Sequence, residues 1–166
     1  MTKKVKNTSY KKLGYNGIDT VQIVNSLNLL LANYQIHHQK MKNFHWNVKG
    51  VSFFELHRQF NSYAETANSN IDALAERIRV FGQQPLSTLS EYLEVAEIKE
   101  VGTELESEMM IRETLNDFQI LLSFMVDATD AAIEVGDTAS EEMINTFIKE
   151  LEKNHWMLNA WLQKKA

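Results

Sequence analysis

The chain has 166 residues, a net charge of -5, no cysteine, one proline and six glycines. That length suits one domain, and the missing cysteine excludes disulfides, thiolate nucleophiles and Cys-based zinc or iron–sulfur sites. So little Gly and Pro leaves few breaks for a many-stranded fold and favours long helices.

Charge is unevenly spread. Residues 1–12 carry Lys3, Lys4, Lys6, Lys11 and Lys12 and no acid, so a segment of +5 precedes a remainder of -10. Residues 1–17 are polar, basic and broken by Gly14 and Gly17; they read as a flexible Lys-rich N-terminal tail ahead of a folded domain at 18–166. The tail is either a solvated end without a specific role or an arm for phosphate, DNA or another subunit. No apolar run approaches the roughly 18 residues of a membrane span, and no secretory signal is visible. A cytoplasmic protein with no membrane partner is expected.

Asp19 with Gln22 can cap a first helix. Val21, Val24, Leu27, Leu30, Leu31, Tyr34, Met41 and Trp46 keep near-helical spacing to about Val48. Lys49-Gly50 ends it. Ser52 with Glu55 suggests a second capping box, and a stripe through Phe53, Phe54, Leu56, Phe60, Tyr63, Ala67, Ile71, Leu74 and Ile78 runs to Phe81, before Gly82. Thr88 with Glu91 opens a short helix to about Ala96. A third long helix is predicted from about Glu104 to Val135, with Ile111, Leu115, Phe118, Leu122, Met125, Val126 and Ile133 on its stripe. Thr138 with Glu141 suggests a fourth box, and a last helix carries Met143, Ile144, Phe147, Leu151, Trp156 and Leu158 to about Gln163. The sum is all-α: a four-helix bundle of ferritin-like type, with a short extra helix in the connection between the second and third long helices.

No phosphate-binding glycine loop and no G-x-S-x-G elbow occurs, so the chemistry left is that of His and carboxylate. A di-iron site inside one bundle needs two Glu-x-x-His pairs, and only Glu152 to His155 is present. His155 therefore reads as a packing or hydrogen-bonded residue. His37 and His38 are adjacent, point to different parts of the helix surface, and read as structural or interface residues.

His45 and His57 flank the turn at Gly50, and a hairpin can bring them together. Asp72 and Glu76 are four apart on one helix face and can grip one ion. The fifteen residues from His57 to Asp72 amount to about 22 Å of helix, against ligand bonds of about 2 Å. The two pairs of one chain cannot meet. Antiparallel pairing of this helix with its own copy across a two-fold axis can place the His pair of one chain against the acid pair of the other. Two nitrogens and two carboxylates suit Fe(II), with Mn(II) or Zn(II) as substitutes. The alternative is that Asp72 and Glu76 only pair with Arg77 or Arg79 on the surface.

FHWNVKG at 44–50, FFELH at 53–57, IDALAERI at 71–78, FGQQPLSTLSEYL at 81–93 and HWMLNAWL at 155–162 resemble the Dps family, the mini-ferritins. The likeness keeps its order from about residue 24 to 163. It implies a hollow homododecamer built from two-fold dimers. It also implies Fe(II) oxidation, preferentially by hydrogen peroxide with oxygen as the slower oxidant, and storage of ferric mineral. Family ligands would fall on His45, His57, Asp72 and Glu76, taking one or two irons per intersubunit site. Many members bind DNA without sequence preference, which suggests a nucleoid-associated alternative. The family usually has an acid four residues after the second His; here that position is Asn61, a weaker ligand for a hard cation. Asn61 opens the further possibility of a shell with an impaired centre. Trp46 matches a Trp near the family's iron site, as a sacrificial electron donor or an interface aromatic. Among Glu134, Asp137, Glu141 and Glu142, Glu142 is the candidate for an acidic three-fold pore.

Overall fold

The computed structural model describes residues 20–163. The Lys-rich tail and the Asp19 cap lie outside the described residues. Those described form five helices and no strand: α1 (Val21–Asn47), α2 (Phe53–Val80), α3 (Leu89–Val95), α4 (Ser107–Glu134) and α5 (Thr138–Gln163). Four are long and one is short, as the periodicity predicts.

The apolar stripes meet along the bundle axis. Phe44 of α1 meets Phe60 of α2 edge-on at 5.4 Å, Tyr63 of α2 meets Phe118 of α4 at 5.3 Å, and Tyr34 of α1 meets Phe147 of α5 at 6.3 Å. Contacts fix the directions. His37 and Lys40 reach Asp117, while Met41 meets Thr114, so α1 and α4 run antiparallel. Thr66 reaches Glu150 and Arg77 reaches Ser140, so α2 and α5 are antiparallel too.

With α2 antiparallel to α1, the link between α2 and α4 must travel the length of the bundle, and asparagines on α1 guide it. Asn28 Oδ1 accepts from the Leu86 amide at 2.9 Å. Buried Asn33 Oδ1 accepts from the amides of Glu97 and Ile98 at 3.0 and 2.9 Å. Asn43 Nδ2 donates to the Val101 carbonyl at 3.2 Å. The side chains thus supply partners that an irregular backbone packed on a helix would otherwise lack.

The predicted caps fare unevenly. Thr88 and Glu91 form a full capping box on α3. Hydrogen bonds from the Ser87 amide and from the Thr88 hydroxyl and amide hold the Glu91 carboxyl below its ordinary pKa. Ser52 makes no side-chain cap bond on α2. Thr138 is already helical; Asp137 precedes it and accepts from the Ser140 amide at 3.3 Å, so the cap lies one residue earlier than predicted.

Several stripe positions also face outward. Val21, Trp46, Phe54, Val126, Ile133 and Trp156 are exposed on the single chain, Trp46 at 64% and Phe54 at 75%. A 3.6-residue period marks every apolar side of a helix and does not say which neighbour covers it.

Candidate metal centre

His45 lies in the last turn of α1 and His57 in the second turn of α2, beside the hairpin connection. Gly50 has φ +100°, a left-handed value that glycine adopts at little cost. The two imidazoles stack with centroids 3.9 Å apart and planes inclined by 27°. Each engages the other helix: His45 Nδ1 lies 2.7 Å from the His57 carbonyl, and His57 Nδ1 lies 2.8 Å from the His45 carbonyl. A carbonyl oxygen only accepts, so both Nδ1 atoms carry a proton, and in the neutral imidazoles the lone pair is then on Nε2. This is the arrangement by which a backbone carbonyl orients a metal-binding histidine. Phe53 stacks on His57 at 5.1 Å and restricts that ring further.

Asp72 and Glu76 stand exposed on α2, with no hydrogen bond or ion pair among the described residues. The surface pairing with Arg77 or Arg79 does not form. Arg77 donates to Ser140 Oγ at 2.8 Å and to Asp137, and Arg79 donates to the Gln83 carbonyl at 3.0 Å. Asp72 and Glu76 thus have free oxygens. Among the described residues no three His, Asp or Glu side chains converge as a metal cluster. One chain presents a nitrogen pair and an oxygen pair, about 22 Å apart by helix rise, and each is incomplete alone.

The bundle interior offers a cavity of about 20 Å³, lined in part by Tyr34, His37, Tyr63, Asn70 and Glu150. That is room for about one water. Burial pushes the Tyr63 hydroxyl up to about 12 and the Tyr34 hydroxyl higher still. His155 contacts Asn159 Nδ2 at 3.2 Å, in line with a hydrogen-bonded role. His37 belongs to a buried network: its Nδ1 lies 3.0 Å from Asp117 Oδ2, and Lys40 Nζ donates to Asp117 Oδ1 at 2.7 Å. His38 is half-buried, and that burial with nearby Lys42 and His37 lowers its pKa.

Of the pore candidates, Glu134 and Glu142 are exposed and Glu141 is half-buried. Asp137 is removed from that set, because it is 1% exposed and engaged by Arg77 and the α5 N-terminus.

The structure adds Lys42 and Glu65 near the His pair. Lys42 Nζ donates to Asn61 Oδ1 at 3.0 Å, and Asn61 Nδ2 donates to Glu65 Oε1 at 2.7 Å. Helical spacing carried a signal for both. Lys42 lies one turn before His45, Asn61 one turn after His57, and Glu65 one turn further.

The sequence model of a family described as "Ferritin-like domain" matches residues 24–166. The chain is 37% identical over 142 residues to general stress protein 20U of Bacillus subtilis, covering 85% of this chain and 97% of the relative. It is 39% identical over 137 residues to the DNA protection during starvation protein of Brevibacillus brevis, covering 82% and 92%. The crystal structure of the Dps protein from Vibrio cholerae O1, described as a member of a broad superfamily of ferritin-like diiron-carboxylate proteins, superposes with a TM-score of 0.84. It shares 39% identity, with 88% of this chain and 94% of that one covered.

Proposed function

Because the chain belongs to the Dps family of ferritin-like proteins, we propose that it binds Fe(II) between two copies of itself, oxidises it, and stores the ferric product inside a closed shell. The observation that carries this reading is the reciprocal hydrogen bonding of His45 and His57, which engages both Nδ1 atoms, leaves Nε2 as the donor atom of each ring, and holds the rings stacked 3.9 Å apart. Unpaired Asp72 and Glu76 on the same helix supply the matching carboxylates for the partner copy. In an isologous dimer the two half-sites combine twice.

The donor set fits Fe(II): two neutral nitrogens and two carboxylates balance a divalent charge and stabilise Fe(III) further once an electron leaves. The chain's own contribution is position and charge. The carbonyls of His45 and His57 hold the rings still, and the acids bring negative charge to the ion. With hydrogen peroxide the balance is two Fe(II) oxidised to Fe(III), supplied by the two equivalent centres of a dimer or by successive ions at one centre, for one O–O bond cleaved to two hydroxides. Oxygen is the slower oxidant in this reading, and Zn(II) or Mn(II) occupies the same donors without that turnover.

Exposed apolar residues support a partner surface beside the site. Trp46 on α1 and Leu89 and Leu93 on α3 border an open groove of about 390 Å³. A homododecamer built from two-fold dimers would cover such residues and enclose the mineral. Trp46, next to His45, is then an interface aromatic with a second role as electron donor. Glu142 is the proposed pore acid. A bacterial cytoplasm is the proposed location, and no described helix is long and apolar enough to cross a membrane.

His57→Ala or Asp72→Ala should abolish rapid peroxide-driven Fe(II) oxidation, followed by ferric absorbance in stopped flow, while sedimentation shows the assembly retained. Wild-type rates in either variant would refute the assignment.

DNA binding is a second reading, favoured by Lys3, Lys4, Lys6, Lys11 and Lys12 and by the name of the Brevibacillus relative. Many such tails on one particle would gain from multivalency, with steep salt dependence. A gel shift at low salt that disappears on deleting residues 1–12 supports it, and no shift removes it.

A further inference from the structure

We propose that Lys42, Asn61 and Glu65 limit each centre to a single metal ion. This rests on the intersubunit reading of His45, His57, Asp72 and Glu76 given above. In the α1–α2 hairpin, the Lys42–Asn61 contact lies one helical turn from the His45–His57 pair on both helices at once. A second ion sharing the partner's carboxylates would look to this position for its next ligand.

The only atom Asn61 could offer a metal is Oδ1, and Lys42 Nζ donates to it at 3.0 Å. The amide cannot turn over to escape. Its nitrogen donates to Glu65 Oε1 at 2.7 Å, and the reverse orientation would set NH₂ against the ammonium and oxygen against the carboxylate. Lysine on one side and carboxylate on the other therefore select one rotamer of Asn61.

Charge counting gives the same answer. Asp72 and Glu76 of the partner subunit neutralise one divalent ion. A second would meet a committed amide, the Lys42 ammonium and a Glu65 carboxylate whose Oε1 already accepts from Asn61 Nδ2, and the ammonium and the ion repel at short range. Glu65 is turned toward Asn61 and closes the chain of charge begun by Lys42.

The test is an anaerobic Co(II) titration of the full-length assembled protein. Calorimetry and the visible absorption of Co(II) count only the ions lost in His57→Ala, which sets aside adventitious acidic sites. Wild type should bind about one such ion per chain, and the double variant Lys42→Met/Asn61→Asp about two. Sedimentation confirms that both remain assembled. Two His57-dependent ions in wild type, or one in the double variant, would overturn the single-ion limit while leaving the intersubunit site intact. No His57-dependent ion in wild type would overturn the intersubunit site and the limit with it.

Discussion

Asp117 shows how a single residue settles an interior that apolar patterning leaves open. It is fully buried, yet it accepts from Lys40 and meets His37, both nearly inaccessible. A buried ammonium without its carboxylate is far costlier than the intact pair is stabilising. Asp117→Ala should therefore destabilise the fold by about 3–5 kcal/mol, read as a large fall in thermal midpoint by circular dichroism. A change confined to a fraction of a kcal/mol would mean that Glu113, whose carboxylate lies 3.6 Å from Lys40 Nζ, or water takes over the ammonium. The trace of this network in the sequence is a lysine and a histidine on the stripe that carries Met41 and Phe44. Their partner lies 77 to 80 positions away, and helical spacing has no means of pairing residues on different helices. His45 and His57 were legible because only a short turn separates their helices. Lys42 and Asn61 stand in the same hairpin, and their contact follows from the same register.

At the level of elements, the long helices follow directly from period and breakers, because a stripe of buried side chains at 3.6-residue spacing leaves little choice. The caps were less legible. Ser, Thr and Asp are all competent acceptors, and tertiary partners decide among them: Arg77 draws Asp137 to the start of α5, so Thr138 is not used. The path of the crossover was not legible either. It is set by Asn28, Asn33 and Asn43, which look like ordinary polar positions of α1 until the loop is laid against them. Asn33→Ala would leave the amides of Glu97 and Ile98 without their acceptor. A loss of about 1–3 kcal/mol is expected, together with faster amide exchange after α3 and little change at the centre of α2. Uniformly faster exchange throughout would instead mean that the crossover and the bundle open as one unit.

For the whole molecule, the decisive fact is that the nitrogen pair and the oxygen pair of one chain are too far apart to share an ion. Helix rise alone predicts that separation, and the described residues contain no three-ligand cluster. A complementation experiment follows. His57→Ala chains and Asp72→Ala chains are each inactive in the proposed dimer, but a mixed pair contains one site with every ligand intact. Co-refolding equal amounts should restore about one quarter of the wild-type sites, measured as the amplitude of fast Fe(II) oxidation. No recovery in verified mixed particles would place all the ligands within one chain.

In the proposed site the same division of ligands would make the ion a fastener. Anything that binds the paired chains and not the separated ones favours pairing by mass action, and the coupling works equally in reverse. Dilution should then weaken metal affinity, and a redox-silent ion such as Zn(II) should hold the particle together at concentrations where the metal-free protein separates. A shell of this kind would be least cohesive when iron is scarce and would tighten as its cargo arrives.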